Sequence, residues 1–350
     1  MLEFSKREAE DLFHLACKNG QVTLIKNLLK AKVDINALDT EGLSSLHWAA
    51  IIGNAEVTKL LISEGANIEI KGTIFKSSPL LFACQNGRTK IVETLLENGA
   101  DINAKSSNGT RAIHFAAQSG KTEIVKILLQ KGLDINCKND DGETPLYYAM
   151  YVRYFPLGCK ATHALKMTKF LIKSGAKIDE ATVSKETPLT HAITKANVGV
   201  VKLLISYGAN VNRIRDSDST PLHYAARCYH RKTEIIKILI DNGADVNALY
   251  KNLKISALHY VAASCSSKAV KLLLESGADP EMRNVLGLTP FDIALRCRNH
   301  KFVKRNLEFY PNFVADLSRS RISPIQHALE RNNKSAFKMI ITHCHKYVHQ

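Results

Sequence analysis

The sequence lacks a long hydrophobic run, a secretory leader and paired cysteines. No stretch of about 18 apolar residues occurs, which argues against a transmembrane helix. The opening segment MLEFSKREAEDLFHLA is charged from its third residue, unlike a signal peptide. The eight cysteines are scattered without a C-x-x-C pair, which disfavours zinc and favours reduced thiols. We therefore expect a cytoplasmic or nuclear protein, with delivery into a host cell left open.

Sequence signatures of catalysis, nucleotide binding and metal binding are also missing. The chain contains no P-loop, no G-x-G-x-x-G, no G-x-S-x-G and no H-E-x-x-H. The tail THCHKYVHQ holds His343, Cys344, His345 and His349, but only His345 and His349 share a helix face. A zinc site needs three or four convergent ligands. The sequence therefore predicts no enzymatic activity, no metal and no cofactor.

One phrase, in contrast, recurs along the chain. LSSLHWAAIIGNAEVTKLLISEGANIE at 43–69 returns in similar form at 109–136 and at 218–247. We call the place of His47 the anchor position of each copy. The anchors are His14, His47, Leu81, His114, Tyr147, Thr190, His223, His259, Asp292 and Gln326. Most steps are 33 or 34 residues, a period that predicts stacked units sharing one core.

Each copy contains the signals of two short helices. Thr220-Pro221 places a hydroxyl N-cap and a proline at the first helical position, and the alanine pair 225–226 lets neighbouring helices approach closely. A second helix has apolar residues at helical spacing and ends at a glycine such as Gly243. Five histidines share the anchor position, so we interpret them as structural groups bonded to nearby backbone.

The T-P-L-H-x-A motif at a 33-residue period resembles the ankyrin-repeat family over essentially the whole chain. The resemblance implies an all-α solenoid of stacked helix-turn-helix units, with β-hairpin turns along one edge. We expect a single domain, 1–350, whose first and last copies act as caps. The expected copies are 5–37, 38–70, 72–104, 105–137, 138–180, 181–213, 214–249, 250–282, 283–316 and 317–350.

The resemblance also implies a non-enzymatic protein-binding module or adaptor that uses its concave face and hairpin tips. The residue after the anchor is often aromatic, and aromatic residues are frequent interface anchors. Residues three and four further along the same helix vary between copies, which is typical of specificity positions. The predicted partner-binding residues are Trp48, Ile51, Ile52, Phe75, Phe82, Phe115, Tyr148, Tyr151, Tyr224, Arg227 and Tyr260. Burial of the aromatic residues between copies is the alternative interpretation.

An insertion at 150–162 lengthens copy five by about ten residues. Its sequence is aromatic and basic, so we expect either a partner contact or a segment packed on the stack. The resemblance to the ankyrin-repeat family also leaves open the role of an effector of an intracellular bacterium or virus. Partner identity, biological process and oligomeric state stay open.

Positive charge is concentrated near the end of the chain. The formal charge is +15, and residues 296–350 hold eleven lysines and arginines against three acids, a net of +8. An alternative function is therefore binding of nucleic acid or anionic membrane, or of an acidic protein. The candidate anion-binding residues are Arg296, Arg298, Lys301, Lys304, Arg305, Arg319 and Arg321. A substrate receptor of a ubiquitin ligase is a further alternative, although we recognise no ligase-recruiting box.

Overall fold

A computed structural model describes residues 5–73, 75–151, 161–214, 219–264, 266–309, 326, 328–329 and 333–347. The described part of the chain divides into two compact units, residues 1–183 and residues 184–350. Unit 1 contains the helices α1 (Lys6–Asn19), α2 (Val22–Lys30), α3 (Ser45–Ile52), α4 (Ala55–Ser63), α5 (Pro79–Gln85), α6 (Thr89–Glu97), α7 (Ala112–Ser119), α8 (Thr122–Gln130), α9 (Pro145–Tyr148) and α10 (Ala161–Lys173). Unit 2 contains α11 (Pro188–Thr194), α12 (Val198–Ser206), α13 (Pro221–Arg227), α14 (Lys232–Asp241), α15 (Ala257–Ala263), α16 (Ser267–Glu275), α17 (Pro290–Arg296), α18 (His300–Phe309) and α19 (Lys334–Tyr347).

Copy four shows how the sequence produces one helix pair. The first helix, α7, ends at Gly120, whose φ of 73° lies in the left-handed region that glycine adopts without strain. Ala116 and Ala117 are fully buried on α7 and leave room for the neighbouring first helices. The second helix, α8, buries Ile124 and Leu128 on one face. The pair therefore closes over a narrow apolar core.

Within each unit, successive copies stack in register. The first helices α1, α3, α5, α7 and α9 contact one another in order, and the second helices α4, α6 and α8 form the adjoining row. In unit 2 the same rows are α11, α13, α15 and α17, beside α12, α14, α16 and α18. The expected all-α stack of helix pairs is confirmed. The described residues contain no extended strand, and isolated antiparallel bridges join Leu38 to Ser44, Lys105 to Arg111 and Tyr250 to Ile255 in the hairpin loops.

Anchor histidines tie each first helix to the next hairpin loop. The backbone N–H of Ser44 donates to Nδ1 of His47 (3.0 Å), and Nε2 of His47 donates to the carbonyl oxygen of Ser77 (3.0 Å). His114 repeats this bridge with the carbonyl oxygen of Glu143 (3.1 Å). His223 and His259 make the corresponding bonds in unit 2. The interpretation of these histidines as structural groups is confirmed.

Two expectations fall partly outside the described residues. Of the insertion 150–162, residues 152–160 are not described, while Met150 is buried and Tyr151 is half-buried. Most of the expected first helix of copy ten also lies outside the described residues. The ten copy boundaries stay predictions, and the two units divide near the boundary expected between copies five and six. Along the described chain, no helix is long and apolar enough to cross a membrane.

Candidate functional site

Five of the predicted partner-binding residues line one groove of about 380 Å³ in unit 1. Phe82 lies on α5, Phe115 on α7 and Tyr148 at the end of α9, so consecutive first helices each supply one ring. Phe75 comes from the hairpin loop before α5, and Tyr151 follows α9. Three successive copies therefore build this surface, which we call the aromatic groove.

Four of the five rings in the aromatic groove, those of Phe82, Phe115, Tyr148 and Tyr151, make edge-to-face contacts. The ring centroids of Phe115 and Tyr148 lie 6.3 Å apart, and those of Tyr148 and Tyr151 lie 5.1 Å apart. Phe82 packs on the imidazole of His47 at 5.4 Å. Tyr148 is buried, Phe82 and Phe115 are half-buried, and the Phe75 side chain is 56% exposed. The rings thus pack between copies and also line the groove.

The aromatic groove also has an acidic wall, formed by Glu143 and Asp141. Glu143 is buried, and its carboxylate accepts hydrogen bonds from Nδ2 of Asn139 (2.8 Å) and from the hydroxyl of Tyr151. Asp141 lines the same groove and is exposed. Within the described ranges, no lysine or arginine forms an ion pair with Glu143 or Asp141. The pKa of Tyr148 is raised, chiefly by burial and also by the negative charge of Glu143.

A buried acceptor also lines the aromatic groove without a hydrogen-bond partner. Oε1 of Gln118, on α7, is screened from solvent and accepts no hydrogen bond. A buried acceptor without a donor costs desolvation free energy, so a turn of the half-buried Gln118 side chain toward the groove would gain a hydrogen bond from a ligand with N–H groups.

The other predicted residues of unit 1 lie elsewhere. Trp48 on α3 is half-buried; its indole N–H donates to Asp39 (2.7 Å), and Nζ of Lys18 lies 3.6 Å from the ring centroid. Ile51 and Ile52 lie at the end of α3, where Ile52 is 40% exposed. None of these three predicted contacts lines the aromatic groove. Trp48 is already engaged by side chains of its own chain.

Unit 2 has two shallower surfaces around the remaining predicted residues. Tyr224 and Arg227 line a cavity of about 640 Å³ together with Tyr250. Arg227 and Tyr260 line a second cavity of about 600 Å³. Cζ of Arg227 lies 5.6 Å from the centroid of the Tyr260 ring. Arg227 therefore shares one cavity with Tyr224 and the other with Tyr260.

The candidate anion-binding residues are only partly described. Arg296, Arg298, Lys301 and Lys304 are exposed near the end of α17 and along α18. Arg305 pairs with Glu308 at 2.9 Å. Arg319 and Arg321 lie outside the described residues, as do the side chains of Cys344, His345 and His349 in the tail. In the part of the chain that the structure describes, no three potential metal ligands converge.

Sequence reasoning missed the acidic wall of the aromatic groove. Glu143 stands directly before the N-cap Thr144, and Asp141 stands two residues earlier, so both belong to a hairpin loop. Glu186 has the corresponding place before Thr187 and lines a cavity in unit 2. An acidic residue directly before the N-cap, as at Glu143 and Glu186, is therefore the sequence signal for a carboxylate at this place.

Three comparisons bear on the family. A family model described as "Ankyrin repeats (3 copies)" matches residues 13–106 and 157–250, and two models described as "Ankyrin repeats (many copies)" match residues 95–149 and 258–305. The crystal structure of the human ASB11 ankyrin repeat domain is similar, with a TM-score of 0.56 and 30% identity; the match covers 68% of this chain and 100% of that one.

Curated relatives are longer than this chain. Putative palmitoyltransferase ZDHHC13 from Danio rerio is 31% identical over 61% of the chain and 32% of its own length. Putative ankyrin repeat protein L371 from Acanthamoeba polyphaga mimivirus is 26% identical over 89% of the chain and 38% of its own length. E3 ubiquitin-protein ligase KEG from Arabidopsis thaliana is 27% identical over 88% of the chain and 19% of its own length. The chain thus spans well under half the length of each.

Proposed function

The chain belongs to the ankyrin-repeat family, and from this we propose that it is an adaptor that binds a partner protein in the aromatic groove of unit 1. Ankyrin repeats are a protein-interaction fold. The proposed contact residues are Phe75, Phe82, Phe115, Tyr148 and Tyr151. The other predicted contacts would extend the partner's footprint along the first helices of either unit.

One observation carries the proposal: three successive copies turn aromatic side chains into one groove that also holds carboxylates. Aromatic side chains in a concave surface are typical energetic centres of protein interfaces. Edge-to-face packing restricts the rings before a partner arrives, so little ordering entropy is lost on binding. We expect the groove to act as a preformed receptor surface.

The proposed function is non-enzymatic. The ankyrin fold is generally an interaction scaffold, and the similar palmitoyltransferase matches over 32% of its length. The anchor histidines already bond the backbone through both ring nitrogens. For location, we favour the cytoplasm or nucleus, because Cys17, Cys84, Cys137, Cys228 and Cys297 are free thiols.

Finer roles are supported only by names of relatives. The similarity to mimivirus protein L371 over 89% of the chain supports the role of an effector from an intracellular bacterium or virus. The similarity to the E3 ligase KEG supports a ubiquitin-ligase receptor role more weakly, because the match covers 19% of that relative.

Affinity capture with matched baits tests the proposal. The baits are the full chain, the variant Phe75→Ser and the control Val183→Ser. Both residues are exposed apolar side chains of unit 1, 56% and 68% exposed, but only Phe75 lines the aromatic groove. We expect a protein that is captured by the full chain and by Val183→Ser, and lost with Phe75→Ser. Equal capture by all three baits would remove the aromatic groove as the site.

A second candidate function rests on the exposed basic residues of α17 and α18. Arg296, Arg298, Lys301 and Lys304 are exposed in that region and would meet an anionic surface. Cosedimentation with phosphatidylserine vesicles, and gel shift with duplex DNA, would test it. Binding that falls steeply with salt and is lost in Lys301→Glu/Lys304→Glu would support this function. Absence of binding at low salt would exclude it.

A further inference from the structure

Within the described residues, two basic side chains each lie over an aromatic ring of the following copy. In unit 1, Nζ of Lys18 lies 3.6 Å from the centroid of Trp48 and 3.4 Å from Oδ2 of Asp39. The same carboxylate accepts the indole N–H of Trp48 (2.7 Å). A cation, an aromatic ring and a carboxylate thus meet in one place between copies one and two.

Unit 2 repeats the pairing of cation and ring. Cζ of Arg227 lies 5.6 Å from the centroid of Tyr260, between copies seven and eight. Lys18 and Arg227 each stand four residues after an anchor, His14 and His223. Their partner rings each stand one residue after the anchor of the next copy. The repeat frame therefore has a fixed position at which a cation faces a ring.

Between copies four and five that position has no cation. Gln118 stands four residues after the anchor His114, and Tyr148 stands one residue after the next anchor. Among the residues that the structure describes, no lysine or arginine lies over the Tyr148 ring. The ring, Asp141 and Glu143 are nevertheless present, and Oε1 of Gln118 is buried without a donor.

We propose that the aromatic groove receives an arginine or lysine side chain of the partner polypeptide, at the place where Lys18 and Arg227 lie in the other copies. The inference rests on the proposed function and specifies the chemistry of the partner at the same site. The incoming cation completes between copies four and five the arrangement that the chain builds from its own side chains elsewhere.

The chemistry of the groove favours a cation over other side chains. Aromatic ring faces attract cations, and two carboxylates add charge attraction. A guanidinium or ammonium group has only donors, which suit Oε1 of Gln118 and the remaining lone pairs of Glu143. An acidic side chain would be repelled by Asp141 and Glu143, and an apolar one would leave Gln118 without a donor. The volume of about 380 Å³ accommodates a long side chain with part of its backbone.

NMR titration of the full chain with labelled phenylalanine and tyrosine rings tests the inference. The probes are blocked pentapeptides of glycine with arginine, lysine, citrulline or glutamate at the centre. Citrulline keeps the shape of arginine and removes its charge. We expect the arginine or the lysine peptide to shift the ring signals of Phe115 and Tyr148 in the millimolar range. The citrulline peptide should bind roughly tenfold more weakly, and the glutamate peptide more weakly still.

Variants of the groove provide an independent check. Gln118→Lys places a lysine where Lys18 stands in copy one, so it should occupy the groove and weaken binding of the arginine peptide roughly tenfold. The matched control is Gln130→Lys, the same change at an exposed position of α8 outside the groove, which should leave binding unchanged. Asp141→Asn, at an exposed position, and Glu143→Gln should each weaken it.

Several outcomes would overturn the inference. These are ring shifts with neither basic peptide, equal binding of the citrulline and arginine peptides, and unchanged binding in Gln118→Lys. Such results, together with a captured protein that is still lost with Phe75→Ser, would leave the proposed groove function standing and reject only the cationic side chain. If neither basic peptide shifts the rings and Phe75→Ser still captures the same protein as the full chain, the aromatic groove is not the binding site.

Discussion

Acid should destabilise unit 1 well before its carboxylates are protonated, because two of its anchor histidines, His47 and His114, are buried in the neutral form. Burial lowers the pKa of His47 and of His114 from 6.5 to about 4. In each ring Nδ1 accepts a backbone N–H and Nε2 donates to a carbonyl oxygen. Protonation would place a second N–H against the N–H donor and a charge in the core.

The size of the effect follows from proton linkage. The unfolded chain binds a proton at each histidine near pH 6.5, whereas the folded chain resists it until about pH 4. Stability is therefore full above the unfolded pKa and declines as pH falls from there to the folded pKa. Between about pH 7 and about pH 5, each histidine should cost about 2 kcal/mol, and the two together about 4 kcal/mol. That loss is a large part of the free energy of unfolding of a typical domain.

Urea unfolding followed by tryptophan fluorescence measures this directly. Trp48 is the single tryptophan of the chain and lies in unit 1 with both histidines, so its signal reports on that unit. The variant His114→Thr has a precedent in Thr190, an anchor whose hydroxyl accepts the N-cap N–H of Thr187 at 2.9 Å. It should unfold more easily at neutral pH, because the bridge to the next loop is lost, while the loss on acidification falls by about half.

Two results would refute the reasoning. One is a free energy of unfolding that changes by less than about 1 kcal/mol over this pH range in the full chain. The other is an unchanged pH dependence in His114→Thr, which would assign the acid sensitivity to other groups. NMR titration of the imidazole proton signals would measure the pKa values of the histidines, and so show whether the histidines or other groups cause the acid sensitivity.

Two further predictions concern single positions. Gly142→Ala should destabilise unit 1 roughly twice as much as Gly132→Ala, for which left-handed strain alone predicts about 1 kcal/mol. Both glycines have positive φ, but only at Gly142 would a Cβ meet backbone, 2.8 Å from the nitrogen of Val183, and equal midpoints in urea would contradict the prediction. Iodoacetamide should label Cys297 roughly a hundredfold faster than Cys84, because Cys297 is exposed whereas burial raises the pKa of the Cys84 thiol. Peptide mass spectrometry measures both rates in one sample, and comparable labelling would mean that the core around Cys84 opens readily.

The helix pairs could be predicted from the sequence because their signals are local. A hydroxyl and proline pair such as Thr187-Pro188 fixes the start of α11 through capping, whatever the neighbours are. The 33-residue period then states which residues stack, since equivalent positions of successive copies meet. His47 is an example. The recurrence of histidine at its position indicated a structural role, and its hydrogen bonds to Ser44 and Ser77 confirm that role.

The site was harder to predict because it depends on which partner each side chain meets. Trp48 and Tyr148 follow their anchors in the same way, so the pattern ranked them alike. The Trp48 ring is covered by Lys18, a side chain from the preceding copy, whereas Gln118 at the matching place supplies no cation to Tyr148. Reading each copy by itself could not separate the two cases.

A stacked repeat fixes the position of a side chain more strictly than it fixes the charge of that side chain. The position four residues after an anchor carries Lys18 in copy one, Gln118 in copy four and Arg227 in copy seven, in the same backbone frame. With a cation there, the adjoining ring is already contacted by a basic side chain of the same protein. With an uncharged acceptor there, we expect the ring and the nearby carboxylates to bind a cation of the partner. The cation–ring attraction that stabilises the stack in one copy would then contribute to partner binding in another. Specificity on such a frame then follows from which copies lack their own cation.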